Sequence, residues 1–490
     1  MNIFLLIFLA IIVINTIAAV ITVFRQPRNI AATWAWLLVL ILIPVVGFII
    51  YSFFGRRLPK NQLVRLSDSS RRQVDQVIKE QKQELAGLKG PGLTTNQQII
   101  KKAAGLIEMF MNSDTAPLLS NNEVETYTDG EPFFKQFFAD LEAAESSINI
   151  EFYTFYADKI GHQTLDLLVK KAQAGVDVRV IYDDWGSLGT TQKFFKPLLQ
   201  AGGHAFPFLH NRFNLLDMRV NFRDHHKVVV IDGKYGYIGG FNIGDQYLGR
   251  KPKFGNWRDG MIRIYGKGVY GLQSRFLLDW NGTDPTTAID PNLPVQSVKY
   301  FPEIETQGAA MMQIVSSGPD PQLEQIKTGY IKMISLAEHS IKITTPYLIP
   351  DSSVLDALKI AVQSGVDVQI VTPNMPDHPF VYRATQYYSR RLVELGIKVY
   401  AYNQGFIHAK TVVVDGEIVS VGSANLDYRS FELNFECNAF IYDKELADQF
   451  EAIFAESVAA STPQTTAVFA SQSHWLNFKQ HFSRLLSPLL

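Results

Sequence analysis

Three patterns of apolar and polar positions follow one another along this chain. The first is unbroken apolar sequence: residues 3–24 carry no charge over 22 positions, and residues 30–54 carry none over 25. At ~1.5 Å rise per helical residue, either run is long enough for a hydrocarbon core about 30 Å thick. The pattern predicts a hairpin of two membrane helices over 1–54. A cleaved signal peptide fits less well, because no Lys or Arg precedes the first run and the run exceeds an h-region. Trp34 and Trp36 open the second run as interfacial aromatics do, while Pro44 and Gly47 interrupt it and keep a re-entrant hairpin as the alternative. Arg25 and Arg28 lie between the runs, but Arg56, Arg57, Lys60 and Arg65 follow the second. The heavier positive flank puts the large C-terminal portion and the N-terminus on the cytoplasmic side of a cell membrane.

The second pattern, over 55–120, is polar, basic and helix-prone, with nine Lys or Arg against four Asp or Glu between Gly55 and Gly90. Beside a membrane anchor it reads either as a connector held on anionic headgroups or as a solvated helix face. The third pattern alternates short apolar strands with amphipathic helices, and it occurs twice. SSINIEFYTF (146–155) leads through a helical stretch to AGVDVRVIYDD (174–184); HSIKITTPYL (339–348) leads likewise to SGVDVQIVTPN (364–374). Each copy is a β-α-β unit. Residues 283–302, rich in Pro, Asp and Thr, read as a linker. The fold class expected is α/β: two pseudo-equivalent domains, over 121–285 and over 286–490 with the linker, each a buried sheet flanked by helices. Phe133, Phe134, Phe137 and Phe138 stand at helical spacing and are expected in the core. Residues 474–490 predict an amphipathic C-terminal helix, either interfacial or packed on the second domain.

Composition adds limits. Charged residues make up 19% of the 490 and the formal net charge is −1, so nothing in the overall balance favours a nucleic-acid partner. Cys437 is the one cysteine, which excludes an internal disulfide and a cysteine-rich zinc site.

The candidate chemistry sits in a second matched block. HHKVVVIDGKYGYIGGFN (225–242) and HAKTVVVDGEIVSVGSAN (408–425) obey one pattern: His, any, Lys, four residues, Asp, six residues, Gly, Gly or Ser, any, Asn. A single H-x-K-x-x-x-x-D arises by chance on the order of 0.03 times in such a chain. Two copies, in a duplicated framework, are not chance. His225 and Lys227 share one face of a strand, as do His408 and Lys410. Asp232-Gly233 and Asp415-Gly416 predict tight hairpin turns. These aspartates belong either to the catalytic set or to the backbone of the turn. The small pairs Gly239-Gly240 and Gly422-Ser423 let a ligand approach the backbone, and Asn242 and Asn425 are candidate donors to a phosphoryl oxygen. Two such half-sites facing each other suit a phosphodiester: one His attacks phosphorus, the other protonates the leaving oxygen, and the lysines hold charge. No metal or cofactor is required. Asp259 and Glu436 are candidates to orient a histidine Nδ1–H.

The duplicated HKD block resembles the phospholipase D superfamily. Within it the chain is similar to the bacterial cardiolipin synthases over nearly its full length, through the AxxWAWLLVLxxxPxxG anchor, NWRD, FLLDWN, QIVSSGPD, PYLIPD, FIHAK, NLDYRSFELNFE and the terminal RLLSPLL. The resemblance implies one active site built from both halves and a phosphatidyl-histidine intermediate. It also implies phosphatidylglycerol as substrate, with cardiolipin and glycerol as products, in a multi-pass protein of the lipid bilayer. It further implies His225 as nucleophile and His408 as general acid, then base. The competing readings are a hydrolytic phospholipase D, a membrane-tethered phosphodiesterase or nuclease, and a non-catalytic anion-binding scaffold. Oligomeric state is not legible.

Overall fold

The structure, a computed structural model, describes residues 3–25, 30–51, 55, 68–90, 92–208, 221–319 and 324–489. In the first copy the strands are β1 (Leu119–Asp129), β2 (Ser147–Phe152), β3 (Asp177–Tyr182), β4 (His204–Pro207), β5 (Arg223–Asp224), β6 (Lys227–Ile231), β7 (Tyr235–Gly239) and β8 (Asn256–Gly266). The second copy runs through β9 (Ala310–Ser317), β10 (Ser340–Thr344), β11 (Leu348–Ile349), β12 (Asp367–Pro373), β13 (Lys398–Tyr402) and β14 (Gly405–Ile407). It continues with β15 (Thr411–Val414), β16 (Ile418–Gly422), β17 (Leu426–Asp427) and β18 (Asn434–Tyr442).

Pairing repeats between the copies. The first sheet has the order β4-β3-β2-β6-β7-β8-β1 and the second the order β13-β12-β10-β15-β16-β18-β9, with β1 and β9 joining them where Asn122 faces Ala310. Strands β2, β3 and β4 are parallel, as their β-α-β links require, whereas β2 and β6 are antiparallel. Because helices cover these strands, Ile148, Ile150, Val178, Val180 and their second-copy counterparts Ile341, Ile343, Val368 and Ile370 are all buried. Phe133, Phe134 and Phe137 are buried in the first core.

A third core lies between the copies. Val228, Val230, Ile238, Ile262 and Ile264 of the first pack with Val413, Val419, Val421, Ala439 and Ile441 of the second. The strands just ahead of each HxK block then cross over: β5 pairs with β18, and β14 pairs with β8. This exchange positions the site.

Several segments differ from the sequence reading. After the N-terminal helices α1 (Ile3–Arg25), α2 (Ile30–Leu42) and α3 (Pro44–Ile50), the region expected as a connector contains α4 (Asp68–Gly87), α5 (Thr95–Lys102) and α6 (Ala104–Ser113). Thr94 and Gln97 close a capping box on α5. Ile99, Leu106, Ile107 and Phe110 are fully buried against Val315, Ile326, Tyr330 and Met333, so 95–113 is part of the second copy's core. The linker is docked too: Tyr300 is buried, its hydroxyl accepting from Arg179 Nη1 at 2.6 Å, and Lys299 pairs with Asp177.

At the N-terminus, α1 (Ile3–Arg25) packs on α2 (Ile30–Leu42) and α3 (Pro44–Ile50) through Val23, Leu37 and Leu40. The second apolar run is not one helix. It breaks at Ile43, because Pro44 cannot continue the hydrogen-bond ladder and starts a new helix instead. Among the described residues no helix is long and apolar enough to cross a membrane. The pieces α2 and α3 are too short at 13 and 7 residues. Within the hairpin expected over 1–54, the described residues form three packed apolar helices.

Candidate active site

The strand exchange brings each histidine to a carboxylate of the other copy. His225, at the end of β5, donates its backbone N–H to Phe435 O of β18 at 2.9 Å, and its Nδ1 lies 2.9 Å from Glu436 Oε2. His408, after β14, donates its N–H to Arg258 O of β8 at 2.7 Å, and its Nδ1 lies 2.6 Å from Asp259 Oδ2. The pairing of acid to histidine is therefore crossed. With Nδ1–H donated to a carboxylate, Nε2 of each ring carries the free lone pair.

Both lysines curl back on their own blocks: Lys227 Nζ donates to His225 O at 2.7 Å, and Lys410 Nζ donates to His408 O. The rings are held from the side, His225 by Tyr153 at 4.9 Å between centroids and His408 by Trp257 at 5.1 Å. Trp257 also donates from Nε1 to Asp259. His225, Lys227, His408, Lys410, Asp259 and Glu436 are all buried.

The halves are not equal electrostatically. Burial, reinforced by Lys227 and Lys410, lowers the pKa of His225 well below that of ordinary histidine. Burial also lowers His408, but Asp259 opposes the shift. Burial pushes Glu436 up to about 7 despite Lys227 and the Ser423 hydroxyl. For Asp259 the same burial is outweighed by His408 and Lys410, which hold its carboxyl below the usual range. Burial brings Lys227 down to about 7 and Lys410 to about 8.

The small residues serve these carboxylates. A Cβ on Gly240 would lie 1.9 Å from Asp259 Oδ1, and one on Gly239 would lie 2.2 Å from Gly260 O. The room expected for a ligand is thus filled by the neighbouring strand and the acid that meets His408. Ser423, at the place of Gly240, donates to Glu436 Oε2 at 2.5 Å, and Asn434 Nδ2 donates to its other oxygen.

The remaining expected residues separate. Asp232 and Asp415 do not join the cluster; they lie at the far ends of β6 and β15, in left-handed backbone at φ 53° and 54°. Asp232 accepts from the backbone N–H of Glu145, Ser146 and Ser147, and Asp415 from those of Glu338, His339 and Ser340. Placing them with the catalytic residues is corrected on this geometry: their carboxylates tie the hairpin turns to the starts of β2 and β10. Asn242 is committed as well, accepting from Thr154 N and donating to the Tyr247 hydroxyl. Asn425 Oδ1 is buried without a hydrogen-bond partner among the described residues; being an acceptor, it leaves any donation to a phosphoryl oxygen to Nδ2 of that amide.

Two arginines near the site had no pattern to announce them. Arg223 lies over the Trp185 ring, and Arg429 donates to Asn221; each comes from a single copy. Behind the first half-site, His226 is buried among Glu151, Asp224 and Asp279 at 3.2–3.4 Å, where the second copy has Ala409. Among the described residues, Glu151, His226 and Asp279 form the one group close enough to hold a metal ion. Arg275 already occupies both oxygens of Asp279, which leaves that carboxylate a poor ligand.

The geometry agrees with the comparisons. The family model described as cardiolipin synthase, PLD-like domain, matches residues 137–254 and 330–458, and one described as phospholipase D-nuclease N-terminal matches 4–56. A cardiolipin synthase of Listeria innocua is 45% identical over 478 residues, covering 98% of each chain; one of Staphylococcus aureus strain Mu50 is 43% identical over 484, covering 99% of this chain and 96% of its own. The phosphatidylserine synthase of Haemophilus influenzae Rd KW20 superposes with a TM-score of 0.61 at 16% identity, over 79% of this chain and all of its own, a likeness of fold. The chain therefore belongs to the cardiolipin synthase family, with phospholipase D-like domains.

Proposed function

We propose that this protein is a phosphatidyltransferase of the bilayer that converts two phosphatidylglycerol molecules to cardiolipin and glycerol. The observation that carries the reading is the crossed pair of contacts, His225 to Glu436 and His408 to Asp259. Neither half orients its own histidine, so two imidazoles with free Nε2 atoms and two lysines converge only in the assembled chain. His225, the more strongly neutral ring, attacks phosphorus; a P–N bond forms as the P–O bond to glycerol breaks. His408, whose protonated form the ionised Asp259 favours, gives the leaving oxygen its proton. The neutral His408 then takes the proton from a hydroxyl of the second phosphatidylglycerol, whose oxygen displaces His225. Lys227, Lys410 and Asn425 stabilise charge on the phosphoryl oxygens.

We assign α1 to α3 to the bilayer as a hairpin anchor, with the catalytic portion on the cytoplasmic side. Support comes from the described apolar side chains of these helices, among them Phe4, Phe8, Phe24, Trp34 and Leu42, each more than half exposed among the described residues. In water each such side chain would cost about 25 cal/mol per Å².

The test is turnover of phosphatidylglycerol alone in mixed micelles, with His225→Ala and His408→Ala run beside the native chain. Cardiolipin plus glycerol, lost in both variants, is the expected result. Phosphatidic acid without cardiolipin would make the protein a hydrolase, and no turnover would reject the substrate.

A further inference from the structure

The C-terminal helix His474–Leu485 is amphipathic the wrong way round for a helix packed on a soluble domain. Its inner face is polar. Gln480 and Ser483 are buried, Asn477 and Gln472 accept from Arg390, Gln480 donates to Gln386, and His481 packs on Tyr387. Its outer face is apolar: Trp475 is 66% exposed, Phe478 57%, Phe482 47% and Leu485 69%. These four fall at spacings of 3, 4 and 3 residues, a single stripe, and the rings of Trp475, Phe478 and Phe482 stack along it. The helix is therefore fastened to the domain by hydrogen bonds while its apolar stripe points away from every described core.

Charge says what the stripe meets. Residues 474–490 contain Lys479 and Arg484 and no Asp or Glu. Lys479 lies over the Trp475 ring and flanks the apolar face, while Arg484 lies over the Tyr387 ring on the side of the helix toward the domain. Aromatic side chains between basic ones are the composition of a helix lying in the headgroup region of an anionic bilayer. The segment also leads to the site. Ser487–Leu489 follows directly and contacts the short helix Tyr428–Glu432, which carries Arg429. Arg429 in turn acts electrostatically on His225.

We infer that the stripe Trp475, Phe478, Phe482 and Leu485 is a second membrane contact, inserted into the interface of an anionic bilayer, which holds the rim of the catalytic site at the lipid surface. This rests on the lipid-substrate reading for its purpose but not for its test. A membrane contact beside the site would let a substrate headgroup reach the histidines while its acyl chains stay in lipid.

The buried Cys437 is the native cysteine, so a single introduced cysteine on the surface takes a spin label selectively. Full-length protein carrying Phe478→Cys or Phe482→Cys is labelled in bilayer discs of phosphatidylglycerol and of phosphatidylcholine. Glu142→Cys serves as an exposed control. The expected result is high collision with oxygen and low collision with a water-soluble nickel complex at 478 and 482, stronger in phosphatidylglycerol, with the reverse at 142. Labels open to nickel in both lipids would overturn the inference. Labels closed to both reagents would mean a protein contact and would also overturn it. A Trp475→Ser/Phe478→Ser/Phe482→Ser chain is expected to lose ~10-fold or more in turnover of bilayer phosphatidylglycerol while keeping its rate on a soluble short-chain analogue. Equal loss on both substrates would overturn the proposed purpose. If the native chain turns over neither, the transferase reading fails and the spin-label result still decides the contact.

Discussion

At the residue scale, Asp232 is a half-buried acid and Glu436 a buried one, and they do different work. Glu436 and Asp259 each touch a histidine; Asp232 and Asp415 touch backbone. Glu436→Gln and Asp259→Asn should each lower kcat by ~10²-fold or more, because the Nδ1–H loses its anionic acceptor and the free lone pair is no longer fixed at Nε2. Asp232→Ala should instead cost stability, ~1–3 kcal/mol for three orphaned N–H groups, and leave kcat per folded molecule nearly unchanged. Denaturant melts beside steady-state rates separate the two outcomes. The lysines set a pH limit. Burial lowers Lys227 to about 7 and Lys410 to about 8, so the charge that receives a phosphodiester fades as pH rises through that window. The profile of kcat/KM should have an alkaline limb between about pH 7 and 8; a flat profile to pH 10 would refute these assignments.

At the scale of elements, β7 and β16 show how close a strand must come to its neighbour. Gly240→Ala would drive a methyl into Asp259 and should abolish activity by displacing the partner of His408. Ser423→Gly, which copies the first half, should only weaken the support of Glu436. Assays of both variants test whether the small residue serves the carboxylate or the substrate. The step from β5 to β6 carries a second lesson. His226 points away from the site into Glu151, Asp224 and Asp279; burial lowers its pKa, but the Asp279 hydrogen bond and the acids outweigh that and raise it. A raised histidine stabilises fully below its unfolded pKa, near 6.5, and loses that contribution as pH rises through the folded value. Melting temperature should therefore fall on the alkaline side of pH 6.5, and His226→Ala, copying Ala409, should flatten this slope. A slope unchanged in the variant would remove His226 from the account.

At the scale of the whole molecule, the two copies are one body. They share a core between their sheets and exchange strands at the site. Helices α5 and α6 precede the first copy in sequence but fill the core of the second, where Lys102 also pairs with Asp415. A chain lacking residues 1–67 should keep a folded catalytic body, with a melting temperature within a few degrees of native. One lacking 1–118 should not fold, because Ile99, Leu106 and Phe110 would leave a cavity in the second core, at ~2–5 kcal/mol for each large side chain removed. Circular dichroism melts of both truncations decide this.

Much of this was legible in the residues. The duplicated HKD blocks, the paired β-α-β units and the Asp-Gly turns follow from spacing, since strand period, turn geometry and motif are local properties of the chain. Asp259 and Glu436 were legible as candidates, but which acid meets which histidine was not. That pairing depends on β5 and β14 crossing between sheets, which brings together residues 211 and 149 positions apart that no local pattern joins. The role of the aspartates was open for the same reason: a turn residue's carboxylate is assigned only by the strand ends it faces. The tail read equally as packed or interfacial, and both faces were needed. Sequence determined that the tail is amphipathic; only the tertiary structure decided that its polar side binds the protein and its apolar side is left outward, because burial belongs to the neighbours a helix finds and not to the helix alone.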